Sequence, residues 1–186
     1  MKKLTILIDM DDVLDNLLEV WINELNSLYG TSVKPEQITG WDLTQYFPEI
    51  SKKSLTMPLF RDYFWEMIRP QRNAIEITKK LQADGHELYV VTASYPESIS
   101  AKLHRFFFRY FPHITYDHVI VTSKKQMIRG DVLIDDAVHN LVGGKYRGIL
   151  FKAPHNESFD AEHNGLIRAN DWNDIYTIIC RIAQED

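Results

Sequence analysis

A short apolar run rich in β-branched residues, Leu4–Ile8, opens the chain and ends at Asp9, and runs of the same kind recur at Leu88–Thr92, Val119–Thr122, Val132–Ile134 and Gly148–Phe151. Runs of this length without polar alternation suit strands buried on both faces. Helical spacing fills several of the gaps. Ile75–Leu81 precedes Gly85, a residue suited to a C-cap, and Glu97–Phe111 stops before Pro112. Near the end, Ile175, Ile178, Ile179 and Ile182 share one face of a helix over Trp172–Ala183, with Asp171 as its N-cap. Strand and helix in alternation predict an α/β fold built on a parallel sheet.

The stretch from Val13 to Arg69 breaks the alternation. Leu14, Leu17, Leu18, Trp21, Leu25 and Leu28 recur at three- and four-residue spacing, which predicts an amphipathic helix ending near Gly30. Pro35, Gly40, Pro48, Pro58 and Pro70 then punctuate short helical pieces dense in Trp41, Tyr46, Phe47, Phe60, Tyr63, Phe64 and Trp65. The pattern divides the chain into an α/β core, residues 1–15 and 70–186, and a small helical subdomain, residues 16–69, inserted after the first strand. Most of its aromatic residues are expected to fill its own core.

Composition narrows the function. The 186 residues suit one domain with an insertion, and 21 Lys+Arg against 26 Asp+Glu leave a net charge of −5. That balance argues against polymeric nucleic acid or an anionic membrane as partner, because both are bound through basic patches. The single cysteine, Cys180, excludes an internal disulfide and a thiolate zinc cluster, and its place on the apolar side of the last helix reads as packing. The opening apolar run is broken by Asp9 before it could serve as a signal peptide or a membrane span, so a cytoplasmic protein is expected. The acids are unevenly placed, however: Asp9, Asp11, Asp12 and Asp15 crowd one short stretch.

In a parallel α/β sheet, ligands bind beyond the carboxyl ends of the strands, where Asp9 and Asp11 fall. Two residues apart in extended backbone, their side chains point the same way. Asp135-Asp136 follows Val132–Ile134 in the same relation, so the two pairs converge if those strands are neighbours. Like charges about 4 Å apart repel by roughly 4 kcal/mol at an effective dielectric near 20, so the cluster needs a cation or a shared proton. Hard oxygen ligands beside a phosphate favour Mg²⁺. Thr92 and Ser94 bring hydroxyls to the end of another strand, ahead of a helix, suited to a phosphate or to capping that helix. Lys125, with Lys124 as the alternative, offers an ammonium point charge.

Asp9-x-Asp11-x-Val13, Thr92, Lys125 and Asp135-Asp136, in this order, resemble the four motifs of the haloacid-dehalogenase-like phosphohydrolases. Within that superfamily the Asp-Met-Asp start, Lys125 ten residues ahead of Asp135, the late His155-Asn156 and the helical insertion are similar to the 5′(3′)-deoxyribonucleotidases. The family commonly has Gly where this chain has Asp12. The resemblance implies a Rossmann-like sheet with a cap after the first strand. It further implies a Mg²⁺-dependent phosphomonoesterase acting on nucleoside monophosphates, with Asp9 as nucleophile and Asp11 as proton donor and acceptor. Asp9, the Asp11 carbonyl and Asp136 would hold the metal, Asp135 would orient it, and Thr92, Ser94 and Lys125 would contact the phosphate. The substrate would be a small phosphate ester, a deoxyribonucleoside monophosphate, with Trp41, Phe60, Phe64 and Trp65 as candidates to stack on the base. Arg61, Arg69 and Arg72 are further candidates for charge at the cleft.

The histidines lack zinc spacing, no Gly-x-Ser-x-Gly elbow is present, and Gly143-Gly144-Lys145 lacks the spacing of a P-loop. His155-Asn156 reads as a loop near the rim rather than a ligand pair. Two other readings stay open. One is a phosphatase of a phosphosugar or another small ester; the other is a catalytically weak nucleotide-binding module.

Overall fold

The computed structural model describes residues 2–40 and 42–185. Six strands form one sheet: β1 (Thr5–Ile8), β2 (Glu87–Thr92), β3 (Val119–Val121), β4 (Val132–Asp135), β5 (Arg147–Phe151) and β6 (Ile167–Ala169). Their order is β3-β2-β1-β4-β5-β6 and every neighbouring pair is parallel, the doubly wound arrangement of a Rossmann-like fold. Ile6, Ile8, Val90, Val132 and Ile134 are fully buried on one face, while Leu7, Val91, Leu133 and Leu150 build a smaller cluster on the other. Burial on both faces is the reason these strands read as continuous apolar runs.

β6 was not expected. Ile-Arg-Ala is too short to stand out, and its Arg168 leaves the sheet to donate to Asn156 O and Phe159 O at 3.0 and 2.7 Å.

Helices α1 (Leu17–Tyr29), α2 (Lys52–Thr56) and α3 (Asp62–Met67), with intervening 3₁₀ turns, make up the insertion. α1 ends where Gly30, at φ 65°, supplies the left-handed C-cap that its sequence position suggested. The crossing points lie side by side: Asn16 N donates to Arg69 O at 3.1 Å and Gln71 N to Leu14 O at 2.8 Å. Ile22, Leu25, Ile38, Leu43, Phe47 and Leu55 form the insertion's own cluster, whereas Leu59, Phe64, Trp65 and Ile68 join the main core.

Of the remaining helices, α4 (Ala74–Ala83) packs on the sheet, and α5 (Ile99–Ala101) runs through a π-helical stretch (Lys102–Phe107) into α6 (Phe108–Tyr110). α7 (Val138–Leu141) follows β4, and α8 (Trp172–Ile182) closes the fold with Asp171 accepting from Asn173 N and Asp174 N. Trp172, fully buried, donates its Nε1 to Val13 O at 2.9 Å and so ties α8 to the loop after β1. No helix among the described residues is long and apolar enough to cross a membrane.

Candidate active site

The strand order reverses between β1 and β4, and in open α/β sheets the crevice at such a switch point receives ligands. β1 delivers Asp9 and Asp11 to that crevice, and β4 delivers Asp135 and Asp136. Asp9 N donates to Ile134 O at 2.9 Å, which extends the ladder to the edge of the site and sets the two acidic pairs against each other. A ligand oxygen from each of Asp9, Asp135 and Asp136 lies within 4.8 Å of the others.

Lys125 lies between two of these carboxylates. It occupies the 3₁₀ turn Lys125–Met127 after β3, and its Nζ is 2.5 Å from Asp9 Oδ1 and 2.7 Å from Asp135 Oδ2. Burial works against its charge, but Asp9 and Asp135 outweigh burial and hold the ammonium above the ordinary lysine range. Lys124, by contrast, is exposed. Asp135 also accepts from Ala137 N at 2.8 Å and from Asn140 Nδ2 at 3.1 Å. With both oxygens engaged, Asp135 suits an orienting role better than that of a metal ligand.

Asp136 Oδ2 faces His155 Nε2 at 3.0 Å, and its carbonyl accepts from Asn156 Nδ2 at 2.8 Å. His155-Asn156 thus braces Asp136 from behind, a closer engagement than a rim loop. Burial first, then Asp9, raise the Asp136 carboxyl, against His155, which lowers it. An all-oxygen donor set on rigid strand ends, with the Asp136 carboxyl raised by burial and by Asp9, fits a hard divalent cation.

Asp11 is also raised, chiefly by burial, and lines the cavity. Asp12 adopts φ 58°, a left-handed conformation that favours glycine. Aspartate tolerates it better than most residues, and here its Oδ1 accepts from Leu18 N at 2.9 Å at the start of α1. Burial, then Asp136 and Asp15, raise its carboxyl well above the usual range.

The cavity has a volume of about 510 Å³ and lies between these acids and the insertion. Its far wall is apolar: Leu17, Leu18, Trp21, Ile38, Leu43, Leu59 and Trp65. The sheet side adds Ser94, Tyr95, Ser98, Lys102, Ser123, Lys125, His139 and Asn140. The site therefore pairs a charged floor with an apolar roof, the form of a pocket for a small amphipathic ligand.

Some expected residues are placed elsewhere. Trp65 lines the cavity, but Phe64 is fully buried edge-on against it, because its position in α3 faces the main core. Phe60 ends a 3₁₀ turn, is 38% exposed and packs on Tyr95 outside the cavity. Trp41 lies outside the described residues. Arg61, Arg69 and Arg72 are exposed and do not line the cavity. Ser94 faces it, with Oγ 3.1 Å from Ser98 Oγ, while the next helix begins only at Ile99. Thr92 is fully buried, and its Oγ1 accepts from Lys102 at 2.7 Å.

Trp21 and Lys102 were missed as site residues. Trp21 reads as one member of an apolar stripe, and only the fold turns it toward the acids. Lys102 carried a signal: its spacing from Ile99, Leu103 and Phe106 puts a cation on the buried side of a helix.

Residues 2–185 match the family model described as 5′ nucleotidase, deoxy (Pyrimidine), cytosolic type C protein. The chain is 35% identical over 181 residues to a 5′(3′)-deoxyribonucleotidase of Bacillus subtilis (strain 168), covering 94% of this chain and 97% of that one. It is 32% identical over 173 residues to one of Clostridium acetobutylicum, covering 92% of both. Among solved structures it is similar to a haloacid dehalogenase-like family hydrolase from Streptococcus pneumoniae, with a TM-score of 0.65, 14% identity and coverage of 95% of this chain and 98% of that one. A hydrolase of the same superfamily from Deinococcus radiodurans, solved with bound phosphate and sodium, gives a TM-score of 0.63 at 15% identity and 95% coverage of each. With the acid-lined crevice at the switch point and the match running almost end to end, the chain belongs to the cytosolic type C 5′-nucleotidase family, phosphatases of the haloacid-dehalogenase fold.

Proposed function

We propose that this enzyme is a Mg²⁺-dependent 5′(3′)-deoxyribonucleotidase that hydrolyses nucleoside monophosphates to nucleoside and phosphate through an aspartyl-phosphate on Asp9. The observation that carries the reading is the pairing of Asp9 and Asp11 on one side of a cavity whose opposite wall, formed by the insertion, is apolar. Asp9, Asp136 and the Asp11 carbonyl would hold Mg²⁺, which when bound neutralises charge on the transferring phosphoryl group.

The chain's own residues supply the rest. An Asp9 oxygen attacks phosphorus; the bond from phosphorus to the nucleoside oxygen breaks, and that oxygen takes its electron pair and a proton from Asp11. Burial raises the Asp11 carboxyl, which favours the protonated form this step needs. Asp11 then takes a proton from water as the water oxygen bonds to phosphorus, and the bond to Asp9 breaks to release phosphate. Lys125, beside Asp9, stabilises the charge that builds on the phosphoryl oxygens. Ser94 serves the phosphate end of the site, with Thr92 buried behind it as an acceptor for Lys102 rather than on the cavity wall. Residues 16–69 act as the cap: Trp65 and Trp21 face the base, with Trp41 a further candidate, and the apolar wall excludes water.

The test is phosphate release from dUMP and dTMP beside a panel of phosphosugars, with and without EDTA. A nucleotidase prefers nucleotides by at least about tenfold, a difference of about 1.4 kcal/mol in transition-state binding. Chelation and Asp9→Asn should each abolish turnover. Full activity in Asp9→Asn protein would refute the aspartyl-phosphate route. A preference for phosphosugars would move the substrate assignment without touching the chemistry, and tight nucleotide binding with no turnover would mark a binding module.

A further inference from the structure

Strand β6 brings one polar side chain to the sheet. Ile167 and Ala169 pack on the main core, and Arg168 between them points to the opposite face, as alternation along a strand requires. Its Nη1 donates to Asn156 Oδ1 at 3.1 Å, and its Nη2 donates to Asn156 O at 3.0 Å and to Phe159 O at 2.7 Å. A planar guanidinium, with N–H groups in fixed directions, can hold a loop at three points in this way.

Asn156 carries the contact onward. It is 1% exposed, and its side-chain amide offers two N–H donors and a carbonyl oxygen with two lone pairs. All four are used. Nδ2 donates to Asp136 O at 2.8 Å and to Phe151 O at 2.7 Å, while Oδ1 accepts from Ala153 N at 3.2 Å and from Arg168. Turning the amide over would set its N–H groups against two donors and its oxygen against two carbonyls. Only one orientation is allowed, and Arg168 supplies half of what selects it. In that orientation the loop holds Asp136 twice, through Asn156 at its carbonyl and through His155 Nε2, 3.0 Å from its Oδ2.

We propose that Arg168 is a positioning residue for the metal centre, holding Asp136 in place beside Asp9 through Asn156. The proposal rests on the reading of Asp136 as a ligand of Mg²⁺. Arg168 does not line the active cavity, so it meets neither the ion nor the substrate. Its positioning effect is opposite in sign to that of its charge. A nearby cation repels Mg²⁺, so loss of the charge alone would tighten binding, whereas loss of the fork frees the loop and weakens it. Groups that orient a metal ligand from behind are worth about 10- to 100-fold in metal affinity.

Calorimetric titration of Mg²⁺ into metal-stripped protein tests this without turnover. Arg168→Met should weaken binding by at least about 10-fold. Arg168→Lys keeps the charge but loses the planar fork, and should weaken binding by at least about 3-fold. Arg181→Met removes an exposed arginine of α8 and should stay within about 2-fold of wild type in 0.15 M salt, which sets the effect of a lost surface charge. In an Asn156→Ala background Arg168→Met should add less than about 3-fold, because the amide it acts through is gone. Circular dichroism melts establish that each variant is folded; general destabilisation lowers Tm but leaves the Mg²⁺ affinity of the folded protein unchanged. If the methionine variant does not fold, Arg168→Gln is measured in its place. A loss under about 10-fold in that variant, tighter binding included, overturns the proposal. So does wild-type affinity in Arg168→Lys, or an equal further loss in the Asn156→Ala background. Failure of the underlying reading is seen first and separately: wild-type protein that binds no Mg²⁺, or Asp136→Asn protein that binds it as tightly as wild type, overturns the assignment of Asp136 itself.

Discussion

Lys125→Met keeps the reach of the side chain and removes the charge that stands between Asp9 and Asp135. In the native protein Nζ lies 2.5 and 2.7 Å from their oxygens, with the Asp135 side chain 0% and the Asp9 side chain 10% exposed. Removing one partner of a buried ion pair costs about 3–5 kcal/mol, because the remaining charge is left unsolvated. The oxygens of the two acids lie within 4.8 Å of each other, so their repulsion alone reaches about 3 kcal/mol at an effective dielectric of 20. These are two descriptions of one effect and are not summed. For a chain of this length, 3–5 kcal/mol lowers Tm by about 6–20 °C.

The pH dependence of that loss follows from the shifts. Lys125 is raised in the folded state, so its contribution is complete below the ordinary lysine pKa and constant from pH 5 to 8. What changes is Asp135, already raised by burial and Asp9 and lowered by Lys125. Without the lysine its carboxyl rises further above about 8, so the folded variant keeps a proton where the folded wild type releases it, and this part of the penalty is fullest above the variant's raised value and fades as pH falls through about 8. Urea unfolding in EDTA at pH 9 and pH 6 measures both effects. A loss under about 1 kcal/mol at pH 9, or one that grows on acidification, would show that Lys125 does not neutralise these acids.

Three further outcomes are expected. Asp12→Asn keeps the acceptor for Leu18 N and a residue type that tolerates φ 58°, but removes a carboxyl raised by burial and by Asp136; it should raise Tm in EDTA at pH 7.5, with the gain shrinking toward pH 5 as the wild-type acid protonates. Asn156→Ala removes donors to Asp136 O and Phe151 O and an acceptor for Ala153 N, all in a residue 1% exposed, and should cost about 2–4 kcal/mol in unfolding experiments while weakening Mg²⁺ binding measured by calorimetry. Trp21→Leu should raise KM for dUMP by about 5- to 100-fold with little change in kcat in steady-state assays, the range expected for loss of an aromatic face against a base.

The legible parts of this molecule are those whose physics is local. Strands buried on both faces announce themselves as apolar runs, and Gly30 and Asp171 sit where cap chemistry requires them. The acidic pairs could be placed in one crevice because ligands gather at strand ends, although β1 stops at Ile8 and Asp11 lies in the turn that follows rather than in extended backbone. What stayed hidden depends on contacts distant in sequence. β6 is a strand only because β5 is beside it. Phe64 and Trp65 are neighbours with the same composition signal and both join the main core, yet their directions from α3 let only Trp65 line the cavity as well. Lys102 meets Asp11 across 91 positions, and nothing near either residue announces the other.

The net charge of −5 first reads as an obstacle to phosphate. The site sharpens the obstacle: Asp9, Asp11, Asp12, Asp135 and Asp136 stand against the ammonium groups of Lys102 and Lys125, with His155 on Asp136, so with a neutral imidazole the formal excess is three negative charges, or two once Asp12 takes the proton its raised carboxyl favours. A phosphate dianion cannot enter such a site without a divalent cation, since each like-charge pair at 4–5 Å costs about 3–4 kcal/mol at a dielectric of 20. Mg²⁺ should therefore tighten binding of inorganic phosphate by at least about 100-fold, and linkage requires phosphate to tighten Mg²⁺ by the same factor. Calorimetric titration in both orders measures the two factors independently, with 0.15 M salt present to suppress attraction at the surface. Phosphate binding of equal strength in EDTA would mean that the two lysines suffice to neutralise the crevice. In that case the excess acid would have to be protonated rather than metal-bound, and phosphate affinity in EDTA would fall steeply as the pH is raised.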